Sequence, residues 1–420
     1  VSSTLLVEVP LVEGVKKLPL PVVRNMAYDR DQKTRKAAFE AEIESYRSIE
    51  DASAACLNGI KGEAITLAKA RGYTSVLEKT LRDSRVEKTT LDSMLGAIRD
   101  SLPAFGRYFK KKAQLLGHPT GLPFYDLFAP IGDIDLRYTY EEAAAFIIDR
   151  FASFSAHLSN FAKRAFENRW IDALPREGKR GGAFCYNVRV INESRIMANF
   201  NGSFNNMTTL AHELGHGYHG ECLREQSLLN SHYTMPLAET ASIFCETIVT
   251  DAAYAQASEA AKLAILEHQI SSAAQVIVDI YSRYLFETEL IQRREDGSLS
   301  VAQLKEAMKN AQMKAYGDGL APEVLHPYMW INKPHYYSAD NNFYNFPYAF
   351  GLLFGKGLYA EYLDNREAFV ASYPQLLAET GKNSVAEIGS IAGIDVNQTA
   401  FWKKSLRMIE EKIDEFIRLA

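Results

Sequence analysis

Apolar residues recur three and four positions apart over most of this chain, and that spacing predicts helices. From Asp29 to about Leu115 the pattern is helical, with Gly72, Pro103 and Gly117 as punctuation. A loop follows (118–123), then a predicted helix from Tyr140 to Asn168. The period then changes to two. Ala183–Val190 and Arg195–Asn201 alternate, are separated by Ile191-Asn192-Glu193-Ser194, and predict a β-hairpin. Helical spacing returns around Leu210, Leu214 and Tyr218, from Leu237 to Tyr254, and over about 258–292, 302–316, 347–364 and 402–419. In the last of these, Leu406, Ile409, Ile413 and Phe416 form a core stripe. Residues 5–24 instead predict an extended segment, because Pro10, Pro19 and Pro21 oppose a regular helix. The fold class is therefore mainly α with a small β element. The expected organisation is an extended segment over 1–25 and one domain over 26–420, divided into an N-terminal helical part (26–135) and a core (136–420).

A chain of 420 residues can bury a large core. A net charge of −5 leaves no basic footprint for nucleic acid or an anionic membrane. The run Lys110-Lys111-Lys112 reads as a solvated helix face. No apolar stretch is long enough to span a bilayer. Cys56, Cys185, Cys222 and Cys245 form no CxxC pair, which suits reduced thiols in a cytoplasmic protein, with Cys222 and Cys245 as buried free thiols. Val1-Ser2-Ser3-Thr4 has neither an initiator Met nor a signal-peptide layout, so the chain is expected to begin inside a longer gene product. Nothing in the pattern speaks to oligomeric state.

Chemistry concentrates at His212-Glu213-Leu214-Gly215-His216. Residues four apart share a helix face, so both imidazoles can reach one ion, while Glu213 projects beside them toward a metal-bound water. With nine histidines in 420 residues, a chance HExxH has an expectation of about one in a hundred. The surrounding apolar residues imply a half-buried helix, where an unsatisfied His-Glu-His set is costly and a zinc ion is the simplest remedy. On the next predicted helix, with Pro236 just before its start, Glu239, Ile243 and Glu246 fall on one face. Glu239 is placed to be the third ligand. Glu246 is a candidate to hold a ligating histidine from behind, and His219 reads as a hydrogen-bonding neighbour, because a catalytic zinc keeps one position open. The hairpin just before this helix offers a strand edge for an extended peptide.

Residues 326–348 gather His326, Tyr328, Trp330, His335, Tyr336, Tyr337, Phe343, Tyr344 and Tyr348. Hydroxyl and imidazole donors are what a developing oxyanion needs, although aromatic packing is the better explanation of any single aromatic among them. Asn341, Asn342 and Asn345 suggest a loop leading into a helix, which suits a cleft wall. Gly351-Leu352-Leu353-Phe354-Gly355-Lys356-Gly357 superficially resembles a phosphate loop but lacks its spacing, and small residues on a packed helix face explain it better.

These residues together resemble oligoendopeptidase F and its relatives, within the thimet oligopeptidase group of zinc metallopeptidases. The specific pieces are Arg176 to Phe184, Leu210 to His216 with His219, and Glu239-Thr240-Ala241-Ser242 followed by Glu246. Weaker ones are Pro334 to Tyr337, Phe343-Tyr344, Ala392 to Asp395 and Phe401-Trp402. The resemblance covers roughly Asp29 to Phe416. It implies one zinc per chain on His212, His216 and Glu239, with Glu213 as general base. It also implies that His335 and a downstream tyrosine bind the substrate carbonyl; Tyr344 and Tyr348 both qualify, Tyr337 less well. The implied fold is a helical ellipsoid with a deep channel that admits short unfolded peptides. Members of this group usually carry a further N-terminal helical region ahead of the point where this chain starts.

The function so implied is metal-assisted endopeptidase cleavage of oligopeptides. One rival is an HExxH aminopeptidase or peptidyl-dipeptidase, separable by its need for a free terminus. Another is a non-catalytic peptide-binding homologue, which would lack stoichiometric zinc.

Overall fold

A computed structural model describes residues 5–11, 13–132 and 136–420. The expectations for Val1 to Thr4, and the division placed at 135/136, fall at or against positions outside the described residues.

Helices dominate, and local chemistry sets their ends. The chain opens with a hairpin, β1 (Leu6–Leu11) and β2 (Gly14–Pro19), paired from Leu6 with Pro19 to Leu11 with Gly14. A short helix α1 (Leu20–Asn25) follows, with Pro21 in its first turn. The extended reading of 5–24 thus holds for the strands and fails at 20–25, because proline is compatible with a helix start, where the amide it lacks has no intrahelical acceptor. Next come α2 (Gln32–Ser45), α3 (Glu50–Ala70), α4 (Val76–Asp83) and α5 (Lys88–Leu115). Pro103 lies inside α5 rather than ending it. The buried stripe of α5, including Leu91, Met94, Ile98, Phe105, Tyr108 and Phe109, outweighs one lost hydrogen bond.

The helix expected over 140–168 is two helices, α6 (Tyr140–Phe154) and α7 (Ala156–Glu167). Ser155 separates them in an extended conformation, and its side chain accepts a hydrogen bond from the Leu158 amide as the N-cap of α7. A three-stranded sheet follows: β3 (Ile171–Asp172), β4 (Phe184–Val188) and β5 (Glu193–Met197), in the order β3-β5-β4. The predicted hairpin is β4–β5, shorter than expected, and it turns at Asn192, which takes the left-handed conformation that asparagine tolerates well. β4 is left as an edge strand.

Then come α8 (Phe204–Cys222), α9 (Met235–Ala238), α10 (Thr240–Gln256), α11 (Glu259–Ala274), α12 (Ile280–Asp296) and α13 (Val301–Tyr316). A π-helical turn, Gln275–Asp279, joins α11 to α12. The remainder is α14 (Met329–Asn332), α15 (Phe346–Asp364), α16 (Arg366–Glu379), α17 (Val385–Ile391) and α18 (Thr399–Leu419). No periodicity argument had marked α16 or α17. The predicted stripe of α18 is buried at Leu406, Ile409, Ile413 and Phe416, and packs on α5 and α15.

Contrary to expectation, Lys110-Lys111-Lys112 is not one solvated face. Lys110 is exposed, but Lys112 is fully buried, with its Nζ 2.6 Å from Glu267 Oε1 and 3.1 Å from the Leu127 carbonyl. Two residues further round α5 is the opposite side of the helix, so three consecutive lysines cannot share one solvated face. The four cysteines are free; Cys245 is buried and Cys222 is only half-buried. Among the described residues, no helix is long and apolar enough to cross a membrane.

Candidate active site

α8 carries the His-Glu-His set because Ser203 caps it, accepting a hydrogen bond from the Asn206 amide, and because Met207, Leu210, Ala211, Leu214 and Tyr218 are buried. Its three glycines each cost about 1 kcal/mol of helix propensity, and close packing explains them. A β-carbon on Gly215 would lie 2.6 Å from the Ala241 carbonyl oxygen and from Ser242 Cα on α10. One on Gly217 would meet the Phe161 ring at 2.7 Å, and one on Gly220 the Asn187 amide of β4 at 2.3 Å. α8 is therefore clamped between α10 and the hairpin, and Asn187 Nδ2 also donates to the His216 carbonyl at 3.2 Å.

Glu239 does not sit on a continuous helix with Glu246 as expected. It occupies the break between α9 and α10, at φ −89° and ψ 2°. Such bridge-region backbone is sparsely populated and recurs at functional positions. The break aims the carboxylate back at α8. Ser242 Oγ donates to Glu239 Oε2 at 2.8 Å, and Gly351 on α15 leaves room for the side chain, since a β-carbon there would lie 2.8 Å from Glu239 Cβ. This supports the packing explanation for the glycines of 351–357.

Glu239 Oε2 lies 3.1 Å from His212 Nε2 and 3.5 Å from His216 Nε2. Donors each about 2.0–2.1 Å from a tetrahedral ion stand about 3.3 Å apart, so the spacing fits a metal centre. Among the described residues, His212, His216 and Glu239 are the one group of three such side chains whose ligand atoms converge, all within 4.8 Å of one another. Glu246 Oε2 lies 2.9 Å from His212 Nδ1, which leaves Nε2 directed at the cluster.

The electrostatics point the same way. Burial disfavours a charged His212, but hydrogen bonds to Glu239 and Glu246 outweigh it and lift the imidazole to about 10. Burial and the neighbouring His212 charge push His216 down to about 4. Glu239, despite its burial, is held down at about 2 by the two histidines. The two carboxylates thus demand a positive charge between them, and a proton on His212 is its substitute. Burial lifts Glu213 to about 7, and its Oε2 is buried with no hydrogen-bond partner among the described residues. An orphaned carboxylate oxygen beside converging N and O donors fits a divalent cation with a bound water.

The remaining candidates separate. His219 is fully buried, stacks on Tyr233 at 4.0 Å and pairs through Nε2 with Thr380 Oγ1 at 2.8 Å, so its hydrogen bond does not go to the cluster. In the aromatic stretch, Tyr328, Trp330, Tyr336 and Phe343 are buried, and His326 pairs with Glu42 at 3.4 Å. His335, Tyr344 and Tyr348 are half-exposed. His335 stacks on Tyr344 at 4.7 Å, and Tyr344 meets Tyr348 at 5.9 Å. Phe343 holds a left-handed φ of 51° with its ring on Tyr284, and so turns the chain into Tyr344. Tyr348 shares a cavity of about 320 Å³ with His212 and Glu239. That cavity also includes Lys356, Lys412 and His268, which the pattern of the sequence had not marked. The signal available was the spacing of Tyr348, Leu352 and Lys356, four apart on α15.

Comparison with known proteins agrees with this geometry. A family model described as peptidase family M3 matches residues 25–408. Oligopeptidase PepF of Bacillus subtilis is 26% identical over 399 residues, covering 94% of this chain and 59% of its own length. An oligoendopeptidase F homolog of Lactococcus lactis is 26% identical over 395 residues, covering 93% of this chain and 65% of its own. The chain thus spans roughly three fifths to two thirds of the length of these curated relatives. The crystal structure of oligoendopeptidase-F from Enterococcus faecium superposes with a TM-score of 0.76 at 21% identity, over 99% of this chain and 69% of that one. This last likeness establishes the fold: a mainly helical body with small sheets.

Proposed function

The chain belongs to peptidase family M3, and from that premise we propose that it is a zinc-dependent endopeptidase of short, unfolded oligopeptides. The observation that carries the reading is the convergence of His212, His216 and Glu239 beside the orphaned carboxylate of Glu213. In this reading residues 26–420 act as one catalytic unit, and His212, His216 and Glu239 would hold the zinc. When bound, zinc would polarise the scissile carbonyl and make a water a stronger nucleophile.

The protein's own part is positioning and proton transfer. Glu213 takes the proton of the attacking water and passes it to the leaving amine. Its elevated affinity for a proton, caused by burial, suits that double use near neutral pH. Glu246 holds His212 through Nδ1 and so fixes the ring with Nε2 toward the metal. His335 and Tyr348 donate to the carbonyl oxygen as it becomes negative; Tyr348 is favoured over Tyr344 because it shares the cavity of His212 and Glu239. The exposed edge of β4 aligns an extended peptide by backbone pairing. A protein acting inside the cytoplasm is consistent with four free thiols.

The test is mass-spectrometric mapping of cuts in a mixture of peptides with free and blocked termini, with and without chelator. Internal cuts in doubly blocked peptides that vanish with chelator and return with zinc are expected. Cleavage restricted to free termini would replace the endopeptidase by an exopeptidase, and no metal-dependent cleavage would overturn the reading.

A further inference from the structure

The cavity of about 320 Å³ that begins at His212, Glu239 and Tyr348 runs on between α10, α11, α15 and α18 to Lys356 and Lys412. Phe204, Ile243 and Leu352 are apolar residues of its lining, and Lys356, Lys412 and His268 are basic ones, beside Glu246. The charges there are not equivalent. Lys412 Nζ is paired with Asp251 at 2.7 Å and Gln269 at 3.0 Å. Lys356 has no hydrogen bond or ion pair among the described residues. The carboxylates whose field reaches Lys356 are Asp251 and Glu246. Asp251 is already engaged by Lys412, and Glu246 by His212.

An ammonium recessed into a cavity with no counter-charge in contact is costly, and no hydrogen bond within the described protein offsets it. Burial, with Lys412 beside it, pushes the Lys356 amine down to about 8, so it still carries its proton at neutral pH. Helical geometry sets its reach. Lys356 lies two turns, about 12 Å, beyond Tyr348 on one face of α15, and its side chain leans back toward the helix N-terminus. An extended peptide advances about 3.3 Å per residue, so Lys356 meets a group within about three residues of a bond held at the cluster.

We propose that Lys356 makes this cavity a carboxylate-binding subsite, which selects peptides bearing an acidic side chain or the free C-terminal carboxylate close to the scissile bond. The proposal rests on the peptidase reading and narrows it, because it names the substrate chemistry. Lys356 is the specificity-determining residue, and Phe204, Ile243 and Leu352 accept the apolar part of the side chain that carries the carboxylate.

The experiment uses one peptide sequence with Gln replaced by Glu at each position within three residues of the cut. Each peptide is made with a free and an amidated C-terminus. Cleavage is measured as kcat/KM for wild type, Lys356→Met and Lys356→Arg, and binding of the same peptides is measured to the Glu213→Gln protein with and without Lys356→Met. A charge-assisted hydrogen bond predicts about a 10- to 150-fold preference for the carboxylate form at one position. Lys356→Met should reduce that ratio to near one, and Lys356→Arg should keep most of it. Preference at an internal position identifies the side chain as the source, and preference for the free acid over the amide identifies the C-terminus. Ratios near one at every position in wild type overturn the subsite while leaving the peptidase intact. If wild type cuts nothing, the binding ratios decide the subsite independently: a Lys356-dependent preference upholds it, and equal binding overturns it.

Discussion

Two sets of buried charge in this molecule look alike in composition and differ in one respect. Between α3 and α12, Lys61 Nζ sits 2.7 Å from Glu287 Oε1 and 2.7 Å from Asn342 Oδ1. Between α5 and α11, Lys112 meets Glu267 and the Leu127 carbonyl, and Tyr108 donates to the same glutamate at 3.0 Å. In both, the charges are matched and their hydrogen-bonding capacity is largely used within the protein. At the His212–Glu239 cluster the carboxylates crowd two imidazoles, and Glu213 Oε2 is buried without a hydrogen-bond partner among the described residues. A saturated pair serves as scaffold, and an unsatisfied acid beside converging ligand atoms leaves room for something else. The difference predicts that substitutions in the first set unfold the protein, whereas those in the second disable it.

Glu213→Gln gives the largest effect and the sharpest break. The variant keeps the shape of the side chain and loses its basicity, so kcat should fall about 10²- to 10⁴-fold. Its melting temperature and zinc content should match wild type. Near wild-type turnover would remove Glu213 as the base.

Lys61→Met tests the other side. It strands Glu287 and Asn342, and breaking a buried pair on one side costs about 3–5 kcal/mol. Chemical denaturation should show that loss, while kcat per folded molecule stays unchanged. Replacing Glu287 by Leu as well should restore much of the stability, because an apolar pair in that space needs no partner. If Lys61→Met lowered kcat without lowering stability, the division between scaffold and site would collapse.

The same division explains what the sequence disclosed. Most of the long helices and the His212–His216 pair were legible because they follow from spacing along one helix. Glu239 also converges on that pair, but not by the spacing that pointed to it. Glu239 was read on a helix face, whereas it stands in a break whose direction depends on Ser242 and on close contact with Gly351, more than 100 positions away. Lys112 was read as solvated because Glu267, its partner, is remote in sequence. Lys356 stood inside a glycine-rich pattern rightly dismissed as a phosphate loop, and its isolation shows only when four helices are in place. α16 and α17 keep helical spacing at their buried positions, but α16 has Pro374 inside it and α17 is only seven residues long, so neither stands out by pattern.

Between the two tyrosines, Tyr348→Phe should cost about 10²- to 10³-fold in kcat with little change in KM, as loss of an oxyanion donor does. Tyr344→Phe should cost far less, because its ring supports His335 by stacking and that contact survives the substitution. Equal losses would place both hydroxyls on the substrate.

The smallest effect tests the comparison where its two sides meet. Glu246 resembles Glu287 in that both are acids bonded to a nitrogen donor, at 2.9 Å and 2.7 Å respectively. If Glu246 were scaffold, Glu246→Gln would act on stability. If it orients a ligand, the consequence lies in metal affinity, because an imidazole that donates Nδ1–H to a carboxylate is a stronger base at Nε2 than one donating to an amide. Gln retains an acceptor of similar length, so the ring stays in place and the fold is spared. Competition with a chelator should then show zinc binding weakened about 10- to 100-fold, with activity recovering as zinc is raised. Glu246→Leu removes the acceptor altogether and should weaken zinc further still. An unchanged zinc affinity in both variants, with a lowered melting temperature, would move Glu246 to the scaffold and leave His212 oriented by packing alone.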